Sequence, residues 1–169
     1  LAAVRAEFHD DLNLELKAGY RYQDYEQATV LQTEDFSGFV ARGDLRYAYS
    51  EDDIVTATLE RSIYESTFSN LNYYVANRVG LAYTHLFDSK LSGTVFATYQ
   101  FNSYPSAVIV DSRSIEREDD FYGAGSVFRY FIREWLSAQI RYEYRERTSN
   151  VPDLDYVDHV VAVYGTVGF

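Results

Sequence analysis

Three histidines are the first residues to examine for chemistry. His9 is followed by Asp10 and Asp11, His159 follows Asp158, and His85 stands between Thr84 and Leu86. An aspartate with a histidine is the minimum for activating water, and a serine with a histidine would suit hydrolysis of a lipid ester. Side chains of adjacent residues in a strand point to opposite faces, so Asp158 and His159 are not expected to meet. No phosphate-binding glycine loop, dinucleotide fingerprint or zinc-ligand spacing occurs, and there is no cysteine to supply a thiolate. The acidic segments could attract divalent cations but lack the spacing of a calcium loop. The expectation is no catalytic centre, no metal and no cofactor.

Arginine offers different chemistry. Arg21, Arg42, Asp44, Arg46, Arg78, Arg129, Arg141, Glu143 and Arg145 fall at polar positions of alternating runs, and by the same parity Arg5, Glu7, Glu15 and Lys17 join them. A guanidinium's planar fork bonds carboxylates and sugar hydroxyls while its plane stacks on rings. Such an array can line a solute track. It can equally be a polar interior in which opposite charges pair across strands.

What must position these residues is a set of strands. In "LSAQIRYEYRE", Leu136, Ala138, Ile140, Tyr142 and Tyr144 alternate with Ser137, Gln139, Arg141, Glu143 and Arg145, which gives a ribbon one apolar and one charged face. The pattern predicts about nine strands: 2 to 8, 12 to 25, 37 to 49, 54 to 66, 73 to 87, 91 to 101, 120 to 131, 136 to 150 and 156 to 169. "DLNLELKAGYRY", "DIVTATLERSIY", "KLSGTVFATYQF" and "WLSAQIRYEYRE" each follow a short turn and recur at roughly 40-residue spacing, one hairpin plus loops. Short turns and long loops therefore alternate along a meander. The loops expected at 24 to 35, 111 to 120 and 152 to 158 are acidic.

Alternation alone does not say which solvent meets which face. Aromatics gather toward strand ends on the apolar face (Tyr20 and Tyr22, Tyr47 and Tyr49, Tyr99 and Phe101, Phe128 and Tyr130, Tyr142 and Tyr144), with Ala18, Ala57, Val95, Ala97 and Ala138 between them. Two interfacial girdles would produce this distribution. Short turns alternating with long loops, and a final strand ending on Phe169, fit the same picture. No run of about 18 apolar residues is present, so a transmembrane helix is not expected, whereas membrane-spanning strands need only about 9 to 11 residues. A net charge of −11 argues against a nucleic-acid partner. The expected fold is all-β, an antiparallel up-and-down transmembrane β-barrel formed by residues 1 to 169 as one domain in the bacterial outer membrane. Lipid and lipopolysaccharide would surround it, and Phe169 would meet the barrel assembly machinery.

The strand count carries a further expectation. Nine strands, counted back from a periplasmic C-terminus, start outside, whereas single-chain barrels have an even number. The start "LAAVRAEF", without methionine, also reads as processed or fragmentary. Either N-terminal strands of a larger barrel are missing, or a further strand lies in residues 102 to 118.

The segment "EDDFYGAGSVFRYFIREWLSAQIRYEYRERTSNVPDLDYVDHVVAVYGTVGF" resembles the C-terminal part of β-barrel porins that accompany exopolysaccharide export loci in Gram-negative bacteria. The likeness rests on its hairpin and on the aspartate-rich loop before the last strand. It implies a larger barrel, passage of a polysaccharide or other hydrophilic solute, and contact with export-complex proteins. It carries over no catalytic residue. The alternatives are a small closed barrel serving as membrane anchor or adhesion module, and an outer-membrane barrel enzyme.

Overall fold

The computed structural model describes residues 2–9, 11–24, 35–66, 72–110 and 113–168, with the side chains of 2–9, 106 and 110 excepted. Nine strands occur in this part: β1 (Ala2–His9), β2 (Leu12–Gln23), β3 (Phe36–Ala48), β4 (Asp53–Glu65), β5 (Tyr73–Leu86), β6 (Leu91–Val110), β7 (Arg113–Arg133), β8 (Leu136–Ser149) and β9 (Tyr156–Val167). They form one antiparallel sheet in chain order, so the fold is an all-β up-and-down meander. No helix occurs among the described residues. The sheet is open, because β1 pairs only with β2 and β9 only with β8.

Register carries the alternation across neighbours. Leu14 opposes Leu45, Leu45 opposes Ala57, and Ala57 opposes Leu81, while Lys17 opposes Arg42, Arg42 opposes Glu60 and Glu60 opposes Arg78. Because the strand period is two, a slip of one residue would put charges on the apolar face, and the two-sided pattern fixes the pairing. Local chemistry closes the turns. Between β5 and β6 the Asp88 carboxylate accepts the backbone N–H groups of Lys90 (2.6 Å) and Leu91 (2.8 Å), which hold its carboxyl below the usual range.

The sheet has almost no ordinary core. Among the described residues the buried hydrophobics are Phe36, Ile63, Tyr73, Ala76 and Tyr104, with Phe36 and Tyr73 meeting edge to face at 5.4 Å near the loop end of β3 to β5. The apolar face is exposed instead. Tyr20 is 72% exposed, Leu59 62% and Val163 75%. At roughly 25 cal/mol for each Å² of apolar surface, a face of this kind in water would be strongly unfavourable, and it calls for an apolar cover.

Two expectations change here. Residues 102 to 118 are neither a long loop nor an additional strand, and the supposed acidic loop at 111 to 120 is mostly strand: β6 runs on to Val110 and β7 begins at Arg113, paired directly with it. The strand count stays at nine among the described residues, and the strict alternation of short turns with long loops fails at this hairpin. Sequence pattern missed the extension because a bulge breaks its phase. Between Ser103↔Glu118 and Ala107↔Glu116, three residues of β6 face Arg117 alone, and Pro105 sits among the three. A proline, having no N–H to donate, is tolerated in a sheet at such a place. Past Ser103 and Asp119 the neighbouring strands have ended, leaving a two-stranded ribbon.

The β8–β9 turn contains the one described non-glycine residue with positive φ, Asp153 at 64°. Aspartate tolerates this conformation better than branched residues do. Asp153→Val should therefore lower stability by about 1–2 kcal/mol and Asp153→Gly should change it by less. Urea midpoints in detergent micelles, read from the fluorescence of the single tryptophan, Trp135, would check this.

Candidate functional site

The polar face carries the candidates. Arg21, Arg42, Asp44, Arg46, Arg78, Arg129, Arg141, Glu143 and Arg145 all lie on it, spread over β2, β3, β5, β7 and β8. Arg5 and Glu7 have polar-face positions in β1, but their side chains lie outside the described residues, as does Phe169.

Five of the nine form ion pairs. Arg42 grips Asp44 with two bonds, Nε to Oδ2 at 2.7 Å and Nη2 to Oδ1 at 3.0 Å, and reaches Glu60 at 3.2 Å. Thr58 donates a further bond to Asp44. Glu143 is shared: Arg141 reaches its Oε2 at 2.7 Å and Arg145 its Oε1 at 2.8 Å. These arginines remain about half exposed, 49% for Arg42 and Arg145. Such exposed pairs contribute about 0–1 kcal/mol each, so they arrange the face more than they stabilise it.

The other four arginines of the nine, Arg21, Arg46, Arg78 and Arg129, have no ion pair with a carboxylate among the described residues. Three are held by a glutamine instead: Arg21 by Gln23 (2.7 Å), Arg78 by Gln100 (2.7 Å) and Arg129 by Gln139 (2.8 Å). An amide oxygen orients a guanidinium without neutralising it. Arg46 lines a cavity of ≈ 420 Å³ with Glu15, Asp44, Thr56 and Thr58.

Glycines make room for the charges. A Cβ on Gly125 would stand 2.6 Å from the Phe96 ring and in contact with the Tyr142 carbonyl oxygen. With no side chain there, Phe96 lies low and Arg141 sits over its ring at 4.9 Å.

At the loop end lies a buried polar cluster that sequence reading missed. Asp119 accepts Arg117 Nε (2.9 Å) and Nη2 (2.5 Å), the Ser149 hydroxyl (2.6 Å) and the Tyr104 hydroxyl (3.2 Å). The Arg117 guanidinium also lies over the Tyr104 ring at 4.4 Å. Arg117 and Asp119 are 2% and 0% exposed. The cluster ties the base of the β6–β7 ribbon to β8.

Two of the histidines acquire partners, on the apolar face. His85 Nδ1 is 2.7 Å from Asp53, which also accepts the Tyr83 hydroxyl (2.6 Å) and the Ser50 hydroxyl (2.7 Å). In a hydrolase the histidine would link serine to aspartate. Here the aspartate is the hub, and the arrangement ties two hairpin ends together. Counting register back from the turns would have found this pair, which β4 and β5 place opposite each other. His159 lies between Tyr142 and Tyr144, with the Tyr142 hydroxyl 3.0 Å from its Nδ1, while Asp158 stands on the other face opposite Arg145. The side chain of His9 is outside the described residues. No group of three or more His, Asp or Glu suited to a metal ion occurs among the described residues.

A family model described as "Putative beta-barrel porin 2" matches residues 2–168. No curated protein and no solved structure matches the chain.

Proposed function

The chain belongs to the putative beta-barrel porin 2 family, and from that premise we propose that it forms part of a channel wall in the bacterial outer membrane. The observation that carries this reading is the inversion of the two faces. Large aliphatic and aromatic side chains stand exposed on one side, where lipid and lipopolysaccharide would cover them, while the nine candidate arginines and carboxylates share the other. The polar face would then line a water-filled lumen, as in barrels whose outward band is apolar and whose interior is polar. A closed wall also requires the free edges of β1 and β9 to be satisfied, by each other or by further strands.

The passing solute would be hydrophilic, and a polysaccharide suits the lining best. Planar guanidiniums bond hydroxyls and carboxylates, and tyrosines on the same face add ring surfaces. Current through planar bilayers tests the channel. The expected result is discrete conductance steps on insertion of the intact protein. Insertion without conductance would overturn the channel and favour a barrel plugged by its own ion pairs, an anchor.

A further inference from the structure

On the polar face between β5 and β8 lies a cavity of ≈ 340 Å³, lined in part by Tyr74, Arg78, Gln100, Asn102, Glu143 and Arg145. Its size falls within the roughly 300–1,000 Å³ of small-molecule sites. We infer that this cleft is a binding subsite for a carboxylated sugar unit, with Arg78 taking the carboxylate and Tyr74 bordering the sugar. The inference rests on the reading that this face lines the passage, and it adds to it a place and a class of solute.

Arg78 carries the argument because no carboxylate among the described residues bonds its guanidinium. Glu60 stands directly opposite it in register, yet both carboxylate oxygens point elsewhere: Oε1 accepts the Tyr64 hydroxyl at 2.6 Å and Oε2 takes Arg42 at 3.2 Å. Arg78 Nε is bonded to the Gln100 amide oxygen at 2.7 Å, and Gln100 is anchored in turn on buried Asn102 at 2.8 Å. The guanidinium is therefore exposed and oriented through Nε, with its Nη pair left to take up a carboxylate in a fork.

The acidic groups of the cleft are engaged. Glu143 is shared by Arg141 and Arg145, and Glu146 accepts the Tyr144 hydroxyl at 2.7 Å. Neither bonds Arg78.

Ring surface lies beside the charge. Tyr64, Tyr74 and Tyr104 follow one another across β4, β5 and β6 with centroids 5.6 and 5.2 Å apart. Tyr104 is buried, Tyr74 half-buried and Tyr64 40% exposed, so exposure rises along the row from β6 to β4, with Tyr74 standing between two rings. A pyranose has an apolar C–H face and a polar rim. The amides and the guanidinium match the polar rim, and the tyrosine row borders the place where the sugar would lie.

The test is calorimetric titration of the intact protein in detergent micelles with trigalacturonate, with galactotriose as its neutral counterpart, and with inorganic phosphate. Trigalacturonate should bind at least about tenfold more tightly than galactotriose, the worth of one charge-assisted hydrogen bond. Arg78→Gln should remove that advantage, Arg78→Lys should keep part of it, and Tyr74→Leu should weaken both sugars together. Equal binding of the two sugars, failure of trigalacturonate to bind, an unchanged Arg78→Gln affinity, or phosphate displacing trigalacturonate at equal concentration would each overturn the subsite. If Arg78→Gln does not fold, Arg78→Lys decides the matter: affinity identical to the unmodified protein rejects the fork. A protein that conducts but does not bind trigalacturonate overturns this inference alone, and one that does not conduct overturns the channel whatever the titration shows.

Discussion

Asp119→Ala should cost about 3–5 kcal/mol, the usual penalty for breaking a buried ion pair from one side. The carboxylate removed is fully buried and accepts bonds from Arg117, Tyr104 and Ser149, so one deletion strips an acceptor from three donors. The Arg117 guanidinium, only 2% exposed, would keep its charge and lose that partner. A control separates charge from shape. Replacing both partners with apolar residues of similar bulk, Arg117→Met with Asp119→Leu, should recover most of the loss, because two buried charges are then exchanged for packing. Urea unfolding in lipid vesicles, followed through Trp135, measures both. A single variant as stable as the unmodified protein, or a double variant no better than the single, would contradict this account.

Gly125→Ala should be the most damaging added methyl among the glycines whose surroundings are described, at about 1–3 kcal/mol. The new carbon would meet the Tyr142 carbonyl oxygen, which is backbone and cannot swing away, and the Phe96 ring at 2.6 Å. To admit it, β7 and β8 must separate or Phe96 must rise into Arg141, which lies over it at 4.9 Å. Gly165→Ala is the matched control, since a Cβ there meets nothing within 4 Å. It should change stability by no more than about 0.5 kcal/mol. Similar costs for the two substitutions would show that lost chain flexibility, not crowding, governs these glycines.

Much of the sheet was legible from alternation, because a period of two is visible wherever one face differs sharply from the other. β8 reads cleanly, with Leu136 to Tyr144 on one side and Ser137 to Arg145 on the other. The far half of β6 did not, because three residues around Pro105 oppose Arg117 alone and shift the phase. Of the site, the face of each arginine followed from parity. The partners did not: Gln23, Gln100 and Gln139 have no charge to draw attention, yet they set which guanidiniums stay unneutralised. The Asp119 cluster escaped notice because its members come from three strands around a bulge that pattern alone could not locate.

The neighbour-only strand order bears on how such a sheet is made. Every described pair joins strands consecutive in the chain, and the widest separation, Leu91 with Tyr130, spans 39 positions. Contact order is therefore low for a β-structure of this length, and none of the described pairings waits on a distant part of the chain. Since doubling a loop adds only about 0.6 kcal/mol of closure entropy, each hairpin closes at nearly the same cost as the last. The sheet can thus grow one strand at a time from any hairpin already formed, each new strand finding its template in the one just laid down.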